Sequence, residues 1–191
     1  MSLRLHVIIA STRPGRVGAP VGRWIHGFAA EHGAFEAHLV DLAEFALPMY
    51  DEPHHPVLRK YEHEHTRRWS ASVDAADAYV FVTPEYNFGP TPALVNALNY
   101  VYSEWGYKPA AFVSYGGVSG GLRAVQLTKP ILGALKLVAI NEAITIPMVS
   151  QHVKDGTFAP NDLHLTSARN MLNELKRWAE ALKPMRSHAA S

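Results

Sequence analysis

Ser11, Thr12, Arg13 and Arg16 crowd into one short stretch that ends at Gly18. Hydroxyls and the free amides at a helix start donate hydrogen bonds, and a guanidinium grips two oxyanion oxygens at once, so the stretch suits a phosphate. A capped loop with two solvated arginines has the same composition, and both readings stand on this motif alone. No Walker lysine pattern and no GxGxxG follow the preceding apolar run, so the two commonest nucleotide loops are absent and a monophosphate fits best.

Two further stretches combine with the first. Pro84, Glu85, Tyr86, Asn87, Phe88 and Gly89 follow another apolar run and offer backbone groups and an aromatic ring, suited to the polar edge of a flat heterocycle. A rigid turn is the plain alternative. Ser114, Tyr115, Gly116 and Gly117 let backbone approach a ligand closely, because glycine has no side chain to obstruct it; here too a simple turn is the alternative.

Other reactive residues lead less far. His54, His55, His63 and His65 form the densest histidine cluster, and imidazole is a common metal ligand. His63 and His65 are two apart on a predicted helix and point to different sides, and His54 and His55 lie among prolines, so solvated surface histidines are expected rather than a metal site. Asp41, Asp51 and Glu52 lack a partner nucleophile, which ranks a hydrolase low. With no cysteine, thiolate chemistry and Cys-ligated metals are excluded, and any redox chemistry comes from a bound cofactor.

Positioning the three stretches falls to an alternation of strands and helices. Leu5 to Ala10 reads as a buried strand, and Val21, Trp24, Ile25, Phe28 and Ala29 recur at helical spacing up to a stop at Gly33. Phe35 to Val40 is a second strand, followed by a Pro-rich loop from Leu47 to Pro56 and a charged helix from about Val57 to Ala75. Tyr79 to Thr83 is the third strand; Thr91 then caps a helix with Pro92 in its first turn. Ala110 to Ser114 is the fourth strand, with a helix from about Gly121 to Leu135. Ile144, Ile146 and Met148, with Pro147 among them, suit an edge strand, and a last helix carries a stripe from Ala168 to Leu182.

This pattern predicts an α/β fold: a doubly wound, five-stranded parallel sheet of flavodoxin-like order 2-1-3-4-5 with helices on both faces. Ligands bind such sheets beyond the carboxyl ends of the strands, where the strand order reverses, and the three stretches follow strands one, three and four. Trp24, Trp69 and Trp178 read as core or half-buried packing, and Trp105 alone is placed to approach the site.

The chain of 191 residues suits one domain, residues 1–183, with a loose tail over 184–191. A net charge of +1 argues against a nucleic-acid partner. No apolar run is long enough for a membrane span or a signal-peptide core, so a cytoplasmic location is expected by default.

From Leu5 to about Met148 the three stretches, in order and spacing, resemble the NADPH-dependent FMN reductase family, with the Pro84, Glu85, Tyr86, Asn87 tetrapeptide the most specific piece. The resemblance implies an enzyme passing hydride from NADPH or NADH through bound FMN to a small acceptor such as a flavin, quinone or azo compound. It implies that Ser11, Arg13 and the amides of Arg16, Val17 and Gly18 hold the FMN phosphate. Pro84, Glu85, Tyr86 and Asn87 would border the isoalloxazine and ribityl, with the Ser114, Tyr115, Gly116, Gly117 loop on the far side.

Val95 and Asn99 stand where family members often carry Lys and Asp, which bears on contacts between subunits. A flavodoxin-type electron carrier without its own NAD(P)H turnover is the alternative, although such carriers tend to be strongly acidic and this chain has a pI near 8.1. Finally, Val95, Tyr100, Tyr102, Trp105 and Tyr107 give the helix from Pro92 to Ser103 and the loop after it a surplus of apolar surface. That surplus predicts a homodimer or homotetramer, unless these aromatics pack beneath the Pro-rich loop around Tyr50.

Overall fold

Each apolar run marked as a strand pairs in parallel with its spatial neighbour, because strands buried on both faces need helices above and below and long crossovers between them. The structure, a computed structural model, describes residues 2–186. The sheet runs β2(Glu36–Asp41), β1(Arg4–Ile9), β3(Ala78–Pro84), β4(Pro109–Tyr115) and β5(Val138–Ala139) in that spatial order, with β6(Ile144–Ile146) also paired to β4. This is the expected 2-1-3-4-5 arrangement, its fifth position divided into two short strands.

Alternate strand residues feed two cores. Leu5, Val7, Val80, Val82 and Val113 pack under α1(Gly18–His32) and α6(Asp162–Arg186). Ile8, Tyr79, Phe81 and Phe112 pack under α3(Glu64–Ala75), α4(Pro92–Tyr100) and α5(Leu122–Ala134). The period of two along each strand makes this division. A short α2(Leu42–Phe45) and an antiparallel pair, β7(Val153–Lys154) with β8(Thr157–Phe158), complete the elements; their few residues left no periodic signal. Among the described residues no helix is long and apolar enough to cross a membrane.

Several boundaries move, each for a local reason. The charged helix expected from Val57 starts only at Glu64: the buried Glu52 carboxylate accepts the N–H groups of Glu62 at 2.8 Å and His63 at 3.0 Å and holds the chain just before the helix, with His63 extended. Glu52 thus serves as a structural acceptor. Met148 is not part of the edge strand: Pro147 ends the pairing and Met148 turns into the left-handed region with φ of 48°. The tail expected from Pro184 is helical as far as Arg186, whose Nη1 meets Asp77 at 2.9 Å, and residues 187–191 lie outside the described residues.

The aromatic surplus is absorbed internally. Trp105 is buried and meets Tyr79 at 4.9 Å and Trp69 at 5.9 Å between ring centres, so it belongs to the core and not to the ligand site. Tyr100 is also buried; its hydroxyl donates to the Pro48 carbonyl at 2.9 Å and to Asp51 at 3.0 Å, with the Tyr50 ring 5.2 Å away. Tyr100 thus packs beneath the Pro-rich loop and Trp105 within the core, so neither supplies an association surface, while Val95, Tyr102 and Tyr107 are half-buried.

Two buried histidines, His6 and His164, make the fold sensitive to acid, His6 the more strongly. His6 on β1 is pulled down to about 4 by burial, with His38, Lys108 and Arg4 adding repulsion. A neutral folded histidine with an ordinary unfolded value contributes fully above about pH 6.5, and that contribution is lost as pH falls toward 4 because the unfolded chain takes the proton first. We expect denaturant stability to fall by about 3 kcal/mol over this window. His6→Gln should flatten most of the slope, and an unchanged slope would exclude His6 as its source.

Candidate functional site

The first loop leaves β1 at Ala10 and enters α1 without a cap. Val17, at the N-cap, has no side chain able to accept from the first-turn amides, and no acidic residue stands in that turn. The positive end of a fifteen-residue helix is thus left for an external anion. Arg16 adds to this: its Nη2 pairs with the Asp41 carboxylate, while its Nε is buried and meets no acceptor. Thr12 and Arg13 are exposed at the lip.

Gly18 forms the floor of the loop. A Cβ there would lie 2.3 Å from Ser11 Oγ and 2.4 Å from the Tyr115 hydroxyl, so only glycine lets the helix start come this close. Those two atoms bond each other: the Tyr115 hydroxyl donates to Ser11 Oγ at 3.0 Å, and both side chains are buried. Burial raises the Tyr115 hydroxyl far above its usual value, so it stays a proton donor.

The second loop is a tight turn. Tyr86 and Gly89 exchange N–H···O bonds, both at 2.9 Å, across Asn87 and Phe88, whose φ values are 48° and 66°. Two positive φ angles make this a type I′ turn, a conformation that normally asks for Gly at the position of Phe88. Phe88 nevertheless keeps 65% of its surface exposed, with the Arg123 guanidinium 4.2 Å above its ring. The turn is held from behind by Glu85, which accepts from Ser119 Oγ at 3.0 Å, the Arg123 N–H at 3.1 Å and Arg123 Nη1 at 2.8 Å. Burial opposes the charge on Glu85, but these bonds outweigh it and hold the carboxyl below its ordinary value.

The third loop is tied to the segment after β6. Gly116 N–H donates to the Ile146 carbonyl at 3.2 Å, and the amides of Met148 and Val149 donate to Gly117 and Gly116 at 2.8 Å and 3.0 Å. The glycines that this loop cannot replace are Gly120, with φ of 59° and a Cβ position 2.5 Å from Thr145 Cγ2, and Gly121, with φ of 84° and a Cβ position 2.8 Å from Tyr115 N; a Cβ on Gly117 would meet nothing. Ser114 is buried inside β4, opposite Thr83 and Thr145, and lies below the crevice.

The three loops therefore meet, as the strand order required. Tyr115 to Ser11 joins the third to the first. Thr91 Oγ1 donates to the Ala10 carbonyl at 2.7 Å while accepting from Leu94 N–H at 3.1 Å, which joins the second to the first. Glu85 joins the second to the third. Arg13, Arg16, Val17, Gly18, Tyr86, Asn87, Gly116 and Gly117 stand at or near the mouth of this triangle, while Ser11, Glu85, Ser114 and Tyr115 brace it. Tyr115 thus reaches the first loop through its hydroxyl. Sequence reasoning missed Arg123 and Ser119, which only their charge or hydroxyl marked, and weighed Asp41 as an acid without seeing its pairing to Arg16. A hollow of about 300 Å³ beside Thr12, lined by Leu42, Ala46, Leu47 and Ala93 among others, also went unforeseen.

The histidine cluster lies elsewhere. Because α3 begins only at Glu64, His63 precedes the helix, and its ring stacks on that of His65 at 5.1 Å rather than facing away. Both turn to Asp51, His65 Nε2 at 3.0 Å and His63 Nε2 at 4.0 Å. Among the described residues no group of three or more His, Cys, Asp or Glu is placed to hold a metal ion.

Comparison with known proteins gives one family. Residues 3–151 match the family model described as NADPH-dependent FMN reductase. The chain is 38% identical over 148 residues to an NAD(P)H-dependent FMN reductase of Schizosaccharomyces pombe, covering 75% of this chain and 74% of the relative. It is 32% identical over 188 residues to an NAD(P)H-dependent FMN reductase of a Nectria species, covering 94% and 89%. Among solved structures, a flavoenzyme NAD(P)H:(acceptor) oxidoreductase from Paracoccus denitrificans superposes with a TM-score of 0.75 at 20% identity, covering 94% of this chain and 98% of that one.

The orphaned Arg16 Nε, the uncapped helix and the Gly18 cradle fit the phosphate of FMN. Gly18→Ala should displace Ser11 and Tyr115 and weaken FMN binding by about tenfold or more, equivalent to ~1.4 kcal/mol. Tyr115→Phe, which keeps the ring and loses one buried hydrogen bond, should lower stability by about 1–2 kcal/mol. Fluorescence titration and urea unfolding check the two; unaltered affinity in Gly18→Ala would show that the cradle does not hold the phosphate.

Proposed function

The chain belongs to the NADPH-dependent FMN reductase family and is an NAD(P)H-dependent, FMN-using oxidoreductase; from that premise we propose that the three-loop triangle is the FMN site of a single FMN-binding domain. The observation carrying this reading is the junction of an uncapped helix start, the unpartnered Arg16 Nε and the glycine floor at one end of a crevice. Arg13, Arg16 and the amides of Val17 and Gly18 bind the phosphate; the Tyr86–Gly89 turn and the Gly116–Gly117 backbone border the ring system.

When bound, FMN supplies the two-electron chemistry. The protein's own work is to place and shield it. Glu85 keeps the ring-side turn fixed against α5, Tyr115 and Thr91 fix the first loop, and Phe88 offers an aromatic face at the mouth of the crevice. No side chain in the triangle is placed as an acid or base for the reaction, so acceptor choice rests on the shape and polarity of the mouth. The acceptor is a small molecule that fits beside an exposed ring face, with quinones, azo compounds and free flavins the chemical types proposed. Relatives point the same way: an azoreductase of a Bacillus species is 30% identical over 154 residues, and a probable NADPH:quinone oxidoreductase of rice is 33% identical over 135 residues. We also assign a homodimer or homotetramer, now on the exposed Phe88, Val118, Leu122 and Met148 around the mouth rather than on the buried aromatics.

Two measurements test the reading. Flavin absorbance of the reconstituted protein should bleach with NADPH or NADH in the absence of air and return with a quinone, with parallel double-reciprocal lines in steady state; a protein that binds FMN but is reduced by neither nicotinamide would be a carrier instead. Arg13→Ala should weaken FMN binding by about 1.5–3 kcal/mol, the range for a charged hydrogen bond, while His63→Ala leaves it unchanged. Equal affinities in the two variants would remove Arg13 from the site. Light scattering at micromolar concentration reports the assembly, and an active monomer would exclude it.

A further inference from the structure

A second concavity lies at the opposite edge of the sheet from the three loops. It encloses about 600 Å³ where the amino ends of β4 and β5 meet the ends of α3 and α6, and its walls carry Arg59, Asp74, Glu104, Lys108, Lys136 and Arg186. This volume is in the range of small-molecule sites. Four cations against two carboxylates leave a surplus of two positive charges. Asp77, just behind, does not remove it, because Lys183 at 3.5 Å accompanies Arg186 at 2.9 Å on that carboxylate.

The two wall carboxylates are already engaged. Glu104 is buried and accepts from Ser70 Oγ at 2.6 Å and the Tyr61 hydroxyl at 2.7 Å, with Arg59 Nε at 3.4 Å; Arg59 also meets Asp74 at 3.6 Å. Among the described residues of the wall, the unsatisfied groups are all donors. Arg186 is pinned through Nη1 alone, and its Nε and Nη2 are buried without an acceptor. Among the described residues the Lys136 ammonium makes no ion pair, and it lies 5.5 Å from the centre of the Tyr107 ring. Lys108 spends its three protons on the Val73 and Asp74 carbonyls and the Tyr79 hydroxyl, at 2.9, 3.0 and 3.3 Å. Buried donors left unpaired are costly, and buried like charges more so.

We propose that this cavity is a second binding site, for a small phosphorylated molecule whose phosphate bridges Arg186 and Lys136. A phosphate monoester carries a charge of about −1.5 to −2 at neutral pH, which matches the surplus. Its oxygens accept from Lys136 and from the free edge of the Arg186 guanidinium, a planar fork suited to phosphate. Lys108 supports the charge from below without direct contact. The position, across the sheet from the flavin loops, separates this site from cofactor exchange, so its occupant acts as an effector or a stabiliser rather than a substrate. Burial lowers Lys108 to about 8 in spite of Asp74, and a bound dianion would raise it again.

The test uses the FMN-saturated protein, so that the cofactor's phosphate site is filled. Calorimetry and thermal unfolding with inorganic phosphate and with glycerol 3-phosphate, at constant ionic strength, should show one saturable event and a rise in melting temperature. Lys136→Gln, at an exposed side chain, should weaken it by about tenfold, the value of one charged hydrogen bond. Arg186→Gln should weaken it at least as much, and NADPH turnover without added phosphate should stay at the wild-type rate in Lys136→Gln. The proposal is overturned if phosphate gives no saturable event, if chloride at matched ionic strength gives the same shift, or if Lys136→Gln binds phosphate as the wild type does.

Discussion

A single hydrogen bond between side chains 104 residues apart in sequence holds the candidate site together: the Tyr115 hydroxyl on Ser11 Oγ. It spans from the carboxyl end of β4 to that of β1, passing the end of β3 that lies between them in the sheet. Both groups are buried, so neither can exchange its partner for water, and an unmade bond would leave two unsatisfied polar atoms. The contact exists only because α1 starts with glycine. Any side chain at Gly18 would occupy the place of one oxygen or the other, so the backbone of the helix start, the most anion-attracting part of the loop, is drawn down onto the bond.

The other two ties follow from the same constraint. Parallel strands deliver their loops to one edge but do not fix them to each other, and loop backbone that is unfixed is poor at presenting amides in a set direction. Thr91 and Glu85 supply the fixing. Each satisfies a helix start with one bond and a neighbouring loop with another, so capping and cross-linking are done by one residue. The strain at Phe88 is the counterpart: a left-handed non-glycine residue costs on the order of 1–3 kcal/mol and persists where the surroundings determine it. Here the surroundings are the paired Tyr86 and Gly89 backbones and the Arg123 guanidinium over the ring.

Much of this was legible in the sequence, and the reason is periodicity. Strands β1, β3 and β4 are apolar on both faces and bounded by turn residues, so their number and sheet order could be read, and with them the convergence of the loops after each. Thr91 before Pro92 announced its cap. What escaped notice depends on contacts between residues remote in sequence. Glu85 was expected only to border the flavin, and its bracing of α5 through Arg123 has no local pattern to announce it. The bond from Tyr115 to Ser11 is equally invisible to local sequence. The aromatics from Tyr100 to Trp105 looked like surplus surface because the residues that cover them, Pro48, Asp51 and Trp69, come from other parts of the chain. His63 and His65 were assigned to opposite sides by helical spacing, but Glu52 holds the amides of Glu62 and His63 and the helix begins only after His63.

The parallel sheet gives its two edges different electrostatic tasks. At the carboxyl edge the loops open onto the uncapped start of α1, and positive potential comes from backbone amides and Arg16, whose charge does not change across the physiological range. At the amino edge the chain enters β4 through the buried Lys108, which meets the carbonyls that end α3, so positive charge there is carried by side chains. A backbone amide cannot be neutralised by pH, whereas a lysine lowered to about 8 can. The edge built on amides therefore keeps its affinity for an anion across the physiological range. The edge built on Lys108, Lys136 and Arg186 loses part of its field as pH rises above 8. Permanent occupancy suits the first edge, and conditional occupancy suits the second.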